Sequence, residues 1–141
     1  MNATKIWKTC LGIAGVNSLL MAGYHFYLPY QFNWHEKLAT VAPIFPWALN
    51  VLNFSWSLML LLISFLVLSI AKRGPEKSFY ETSILFGLGI YWFVHGFYLF
   101  AVQPPLPSNL AWIKWILLAF PMTICCLHFF PMWVVRKSTA A

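Results

Sequence analysis

Histidine is the side chain through which this sequence could do chemistry, because a neutral imidazole binds metals and haem iron and also accepts protons. The 141-residue chain contains four histidines, His25, His35, His95 and His128. All except His35 fall inside long uncharged runs of a length that crosses a membrane. An ionisable side chain inside a membrane is a functional hypothesis in itself, because its burial is costly unless the protein gains something from it.

The depth of each histidine in the membrane, estimated from its position in its run, decides which histidines can contact each other. Counted from the middle of each run at ~1.5 Å per residue, His25 and His95 lie toward one membrane face, and His128 lies toward the opposite face. Asn53 and Tyr98 lie at levels similar to those of the first two histidines. Imidazoles from facing helices hold haem in helical bundles. His25, His95, Asn53 and Tyr98 are therefore candidate residues for binding one haem b or a quinone.

A simpler interpretation is that these polar side chains satisfy one another. His25 can bond Asn50, Asn53 or a backbone carbonyl, and His95 can bond a tyrosine or an asparagine in a packed core. Bundles that carry electrons across a membrane also need ligand pairs at two depths, and the second layer offers His128 alone. The favoured interpretation is therefore that no cofactor is bound, with haem b or a quinone as the alternative.

A metal site is a weaker hypothesis. His35 and Glu36, together with the histidine pair, are residue types that bind zinc or a non-haem metal. No close spacing such as His-x-x-x-His supports this site, and Glu36 has a second role as a helix-capping residue. The sequence therefore predicts no metal site, and His35 and Glu36 are only weak candidates.

Other reactive groups are sparse. The three acidic residues, Glu36, Glu76 and Glu81, are predicted in loops or at a helix end, and the chain has no aspartate. Proton-coupled export through a membrane carboxylate is therefore not expected, and a small transporter would have to rely on a histidine-lined cavity. No phosphate-binding glycine loop, serine nucleophile motif or outward-facing cysteine pair occurs. No catalytic residue is assigned, and the sequence favours a protein that is not an enzyme.

Four apolar runs must position these residues. They cover residues 9–28, 47–71, 82–102 and 110–135, the last interrupted by Lys114. Each reaches the ~20 residues that a helix needs to cross a ~30 Å hydrocarbon core. Charged residues make up 9% of the chain, against roughly 25% in soluble domains. The sequence predicts an all-α integral membrane protein, a single domain over residues 1–141 built as an up-down-up-down bundle of four transmembrane helices. The first run is interpreted as a retained anchor, because it is long for a signal peptide and lacks a small-x-small cleavage site.

Each run carries a stripe of mostly small or polar residues at helical spacing, which predicts the face that packs against other helices. In the first two runs these residues are Leu11, Gly15, Ser18, Ala22 and His25, then Asn50, Asn53, Ser57 and Ser64. In the third and fourth runs they are Gly87, Tyr91, His95 and Tyr98, then Lys114, Leu118, Pro121, Cys125, His128 and Met132. Pro121 and Pro131 are expected to bend the fourth helix.

The positive charges favour one topology. Seven of the nine basic residues fall before the first run, between the second and third, or after the fourth: Lys5, Lys8, Lys72, Arg73, Lys77, Arg136 and Lys137. The positive-inside rule then places both termini in the cytoplasm, with a bacterial inner membrane as the expected location. Membrane anchoring explains these charges better than nucleic-acid binding does, so the expected partner is the lipid bilayer.

Two connections carry local signals. Asn33, followed by Glu36 three residues later, resembles a capping box and predicts a short interfacial helix over about 34–41. Gly74-Pro75 should end the second long helix. Glu76 and Glu81 precede the third, where carboxylates favour the positive end of the helix dipole.

Aromatic residues, 19% of the chain, offer flat surfaces to lipid, quinones or neighbouring subunits. Because no reactive constellation is complete, the favoured function is a non-catalytic accessory or scaffold subunit of a larger membrane complex, bound to other membrane subunits or to itself. The alternatives are a haem- or quinone-associated redox subunit with an outer-side histidine pair, and a small transporter with a histidine-lined cavity.

Overall fold

The computed structural model describes residues 2–75, 78–102, 108 and 111–138. Within these ranges the chain forms helices and no strands: α1 (Ala3–Gln31), α2 (Trp34–Lys37), α3 (Ile44–Arg73), α4 (Phe79–Ala101) and α5 (Ile113–Ser138). Four of these helices, all except α2, are long and apolar enough to cross a membrane. The all-α prediction with four candidate spans is confirmed, and it indicates an integral membrane protein.

Two of the four long helices, α1 and α3, extend past both ends of their uncharged runs, whereas α4 begins three residues before its run and α5 ends three residues after its run. α1 starts before Lys5 and Lys8, and α3 continues through Lys72 and Arg73. At ~1.5 Å per residue, the 29 residues of α1 exceed the ~30 Å hydrocarbon core. The surplus turns can therefore place basic side chains at headgroup level.

Contacts within the chain cluster into two compact units, one of residues 1–14 with 70–141 and one of residues 15–69. In the 15–69 unit, α1 and α3 run antiparallel, since Gly15 contacts Leu68 while Phe26 lies edge-on to Phe54 at 5.8 Å. A Cβ on Gly15 would lie 2.6 Å from Leu68 Cγ and 3.3 Å from the Leu68 amide nitrogen. A glycine is therefore needed for the close approach of these two helices.

The predicted inward stripes of the first two runs are largely confirmed. Ser18 and Ala22 on α1, and Ser57 and Ser64 on α3, are buried. The two α3 hydroxyls donate to carbonyls of their own helix, Asn53 at 2.6 Å and Leu61 at 2.7 Å, so they can be buried without an outside partner. Asn50 was wrongly assigned to this stripe, because it is exposed and donates to the carbonyl of Pro46 one turn earlier, at 2.8 Å.

In the other unit, α4 and α5 pack antiparallel through the glycines of α4. A Cβ on Gly89 would lie 2.7 Å from the Phe129 ring, and one on Gly96 would lie 2.8 Å from Met122 Sδ. Trp92, between these glycines, meets Phe120 edge-on at 5.9 Å. Glycines that admit a side chain of α5 thus alternate along α4 with the large Trp92 ring. Small residues of this kind let membrane helices pack closely.

The packed face of α4 differs from the predicted one. The prediction took Gly87, Tyr91, His95 and Tyr98, whereas the buried residues are Glu81, Leu85, Gly89, Trp92 and Gly96. A Cβ on Gly87 would meet nothing within 4 Å, and Tyr98 is exposed. The error arose because polar residues were assumed to face inward, whereas the small residues that admit a neighbour decide the contact. On α5 the prediction is confirmed for Pro121, Cys125 and His128, which are buried with Ile124 and Pro131.

Gly74 ends α3 as predicted. It adopts a positive φ of 94°, a conformation that suits glycine, and its N–H reaches the Ile70 carbonyl at 3.2 Å. The indole Nε1 of Trp7, at the start of α1, donates to the same carbonyl at 3.5 Å. This carbonyl therefore ties the start of α1 to the end of α3. Glu76 and Lys77 lie outside the described residues.

Candidate functional site

The end of α1, the short α2 and the start of α3 surround an open cavity of about 820 Å³, which lies wholly within the 15–69 unit. Its walls are largely aromatic and proline side chains: Phe26, Pro29, Tyr30, Trp34, Pro43, Pro46 and Phe54. Three asparagine side chains and one histidine also line it: Asn33, Asn50, Asn53 and His35. We call this cavity the α2 pocket.

Local sequence explains why the chain opens here. Pro29 falls in the last turn of α1, and Pro46 falls in the first turn of α3, where a missing N–H removes no helical hydrogen bond. Asn33, between α1 and α2, has a left-handed φ of 47°, a conformation that asparagine adopts in turns. Side-chain amides and the indole of Trp34 therefore lie beside aromatic rings where α1 ends and α3 begins. Such surroundings suit an amphiphilic molecule with an uncharged polar end.

Beside this pocket, Asn53 of α3 holds His25 of α1 through both ends of its amide. Asn53 Nδ2 donates to the His25 carbonyl oxygen at 2.7 Å. Asn53 Oδ1 lies 3.3 Å from His25 Nδ1. Because a carbonyl oxygen only accepts, this contact requires a proton on Nδ1. The lone pair of the ring then lies on Nε2, to which no hydrogen bond is made within the described chain.

This pair agrees with one prediction and leaves another open. Asn53, one of the three partners that the simpler interpretation offered to His25, is the one that contacts it. A histidine that donates its Nδ1 proton to an oxygen and keeps Nε2 available is also the usual arrangement of a metal or haem ligand. The structure therefore shows a satisfied polar pair that retains one nitrogen capable of binding a ligand.

His95 has different surroundings. It stacks on Tyr91, with ring centroids 6.2 Å apart and planes 13° apart, and it meets the edge of Trp92 at 6.0 Å. All three rings lie on α4, and His95 is half-buried. His25 and His95 belong to different compact units, so the axial-pair hypothesis stays a prediction. Of the four candidate cofactor residues, the structure brings His25 and Asn53 together.

The weak metal candidates lie on α2. His35 and Glu36 are both exposed, and Glu36 accepts a hydrogen bond from the Asn33 side chain. The predicted capping box is wrong in detail, because Asn33 makes no side-chain bond to the α2 backbone and the helix ends at Lys37 rather than near 41. In the described ranges, no group of three or more His, Cys, Asp or Glu side chains is placed to hold a metal ion.

His128 is fully buried on α5. Its Nδ1 lies 2.8 Å from the Ile124 carbonyl oxygen, so this nitrogen carries a proton and donates. Its Nε2 is buried without a hydrogen-bond partner among the residues that the structure describes. The ring therefore fills space beside Pro121, Cys125 and Pro131 on the packed face of α5.

Glu81 lies at a helix end, as predicted from the sequence, in the first turn of α4, but its carboxylate is buried. Arg73 Nη2 lies 3.0 Å from Glu81 Oε1. Neither carboxylate oxygen has an aligned hydrogen bond in the described chain, so the contact is an ion pair rather than a hydrogen bond. The register Glu81, Leu85, Gly89 could have predicted this burial, since the three residues share one helical face.

Comparison with known proteins adds no relative. No family model, no curated protein and no solved structure matches this chain. The α2 pocket, the His25–Asn53 pair and the surfaces of the four long helices are thus the features from which a function can be inferred.

Proposed function

We propose that this chain is a non-catalytic accessory or scaffold subunit of a larger complex in a bacterial inner membrane, with both termini in the cytoplasm. The main observation behind this proposal is that only a small fraction of the residues in each candidate membrane span is buried against the rest of the chain. In the most apolar window of each helix, between 22% and 39% of the residues are buried within the chain. The remaining surface is available to lipid or to other membrane proteins.

One of these surfaces has a composition suited to a protein partner. Phe79, Phe86, Phe93, Phe97 and Phe100 follow one another at steps of seven, seven, four and three along α4, and each is at least 47% exposed. Such steps keep all five rings on one side of the helix. Aromatic rings gain from edge-to-face packing with other rings beyond simple burial. We call this surface the phenylalanine face.

The polar groups inside the spans also support a structural role. The hydroxyls of Ser57 and Ser64 are used within α3, and the Asn53 amide is used by His25. These bonds join or shape helices and need no substrate. The positive-inside pattern supports the proposed orientation, because Arg136 and Lys137 close α5 as Lys72 and Arg73 close α3.

Native electrophoresis of the tagged chain, solubilised in mild detergent from its own membranes, tests this proposal. We expect a band well above that of the purified 16.3 kDa chain, and we expect the double variant Phe93→Ala/Phe97→Ala to lose it. Phe65→Ala on α3 is the matched control, because this ring is also exposed. Migration of the unmodified chain as free protein would contradict the proposal.

A second candidate function, a quinone-associated redox subunit, is favoured by the α2 pocket. Among the described residues, the lining of this pocket contains no Lys, Arg, Asp or Glu. The amides of Asn50 and Asn53 could donate to the carbonyl oxygens of a quinone ring, while Phe26 and Phe54 would contact its apolar parts. His25, next to Asn53, could bind haem iron through Nε2 under the haem form of this hypothesis.

Extraction and a visible spectrum test this second function. Purified protein should then carry extractable quinone, and Asn50→Leu should reduce its amount, whereas Phe65→Ala should not. A Soret band that shifts on dithionite reduction and disappears in His25→Ala would support the haem form. A colourless and quinone-free preparation would eliminate both forms. The transporter hypothesis stays a prediction, to be tested by uptake into vesicles. Among the described residues, His35 is the single histidine that lines the α2 pocket.

A further inference from the structure

A polar side chain at the middle of α1 has no partner inside the described chain. Asn17 is the midpoint of the 29-residue helix Ala3–Gln31. It is partly exposed, and its carboxamide makes no hydrogen bond among the residues that the structure describes. The buried stripe of α1, which includes Ser18 and Ala22, occupies a neighbouring side of the helix.

The position of Asn17 excludes water as the partner. Fourteen residues separate it from either end of α1, or roughly 21 Å at ~1.5 Å per residue. The asparagine side chain is too short to reach the interface from this depth, unlike that of lysine or arginine. A carboxamide that faces hydrocarbon leaves two donors and an oxygen unsatisfied, which is strongly unfavourable. A polar group from another membrane-embedded chain would remove this penalty.

The surroundings of Asn17 form a continuous exposed seam. Leu20, Tyr24 and Tyr27 follow it at steps of three, four and three, and all three are exposed. This spacing is that of one helix in a two-helix pair. The seam carries no charge, so its polar content is the Asn17 amide and the tyrosine hydroxyls. Two copies of the seam would not repel each other.

We infer that α1 pairs with α1 of a second copy of this chain through Asn17. All copies insert with the same orientation, so a two-fold axis along the membrane normal places both Asn17 side chains at the same depth. The partial charges are complementary, because the NH₂ group of each amide can face the oxygen of the other. An unrelated helix would need a polar group at this depth by coincidence, whereas a second copy necessarily has one. This inference goes beyond the accessory role and does not depend on it.

Energy transfer between donor- and acceptor-labelled copies in lipid vesicles tests the inference with the purified chain alone. We expect transfer that saturates as the protein-to-lipid ratio rises. Asn17→Leu should raise the ratio needed for half-saturation on the order of tenfold, since interhelical hydrogen bonds in membranes contribute modestly. Asn17→Gln, which keeps the carboxamide, should recover part of this affinity. Transfer no greater than random crowding, or an unchanged Asn17→Leu curve, would overturn the inference.

A matched pair of variants separates the seam from general effects on folding. Leu20→Ala on the seam and Leu62→Ala on α3 remove the same group from positions that are 66% and 61% exposed. The first should weaken transfer and the second should leave it unchanged. In a chain without its native cysteines, Leu20→Cys should form a disulfide between copies, and Leu62→Cys should not. Equal crosslinking at both positions would overturn the inference, while leaving the accessory role to its own test in native membranes.

Discussion

Asn53 joins α3 to α1 by donating to the backbone carbonyl of His25 at 2.7 Å while its own oxygen lies 3.3 Å from the His25 ring. One side chain thus uses both ends of its amide on one residue of another helix. The contact places a satisfied polar group inside an apolar helix pair, and it fixes the proton of His25 on Nδ1. It is the polar counterpart of the glycine contact between Gly15 and Leu68 in the same unit.

Asn53→Leu should therefore destabilise the protein, by about 1–3 kcal/mol, because the His25 carbonyl and ring both lose their partner. Asn50→Leu is the matched control. Its amide binds only the Pro46 carbonyl of its own helix and is exposed, so we expect a change within about 0.5 kcal/mol. Unfolding in mixed detergent micelles measures both values. Equal losses would show that the contact between helices contributes nothing specific.

Two glycines of α1 should respond oppositely to alanine. Gly15→Ala should lower the free energy of unfolding by about 1–3 kcal/mol, because the new methyl group overlaps Leu68. Gly23→Ala should be neutral or stabilising by up to about 1 kcal/mol, since its Cβ would meet nothing within 4 Å and alanine favours the helix. Thermal melts of the two variants make the comparison. A stable Gly15→Ala protein would refute the close α1–α3 approach.

The Glu81–Arg73 ion pair should show non-additive behaviour. Removing a charge from a fully buried pair costs about 3–5 kcal/mol. The Arg73 side chain is 54% exposed, so we expect Arg73→Ala to cost only about 1–2 kcal/mol. The double variant Arg73→Ala/Glu81→Gln should recover most of this loss, because no uncompensated charge stays buried. A double-variant cycle with purely additive losses would argue against the pairing.

The sequence was sufficient for the four long helices and for the need of His25 for a polar partner. Uncharged runs with basic ends define four helices because a membrane leaves the backbone few alternatives. A polar partner for His25 was predicted because polar groups inside an apolar helix need partners, and of the alternatives Asn50, Asn53 and a backbone carbonyl the structure shows Asn53. Both predictions were possible because they depend on the properties of a single helix or a single polar group, not on how two helices pack.

The packed face of α4 shows what the sequence could not decide. The sequence alone does not distinguish Gly87 from Gly89, since both are glycines inside the same apolar run. Gly89 is the one at which α5 approaches α4, because Phe129 of α5 packs against it. The choice depends on the rotation of one helix against another, which is a property of the pair. The burial of Glu81 was missed for the same reason, since it follows from the position of Glu81 on that face. The exposure of Asn17 also becomes visible only once the packed face of α1 is known.

Site-specific photocrosslinking at the phenylalanine face tests the central claim most directly. A photoreactive phenylalanine analogue would replace Phe97 on α4 or, as the matched control, Phe65 on α3, which are 62% and 57% exposed. After irradiation of native membranes, an accessory subunit predicts a discrete adduct with a different membrane protein at position 97 and none at position 65. Lipid adducts alone at both positions would contradict the account, because the phenylalanine face would then have no protein partner.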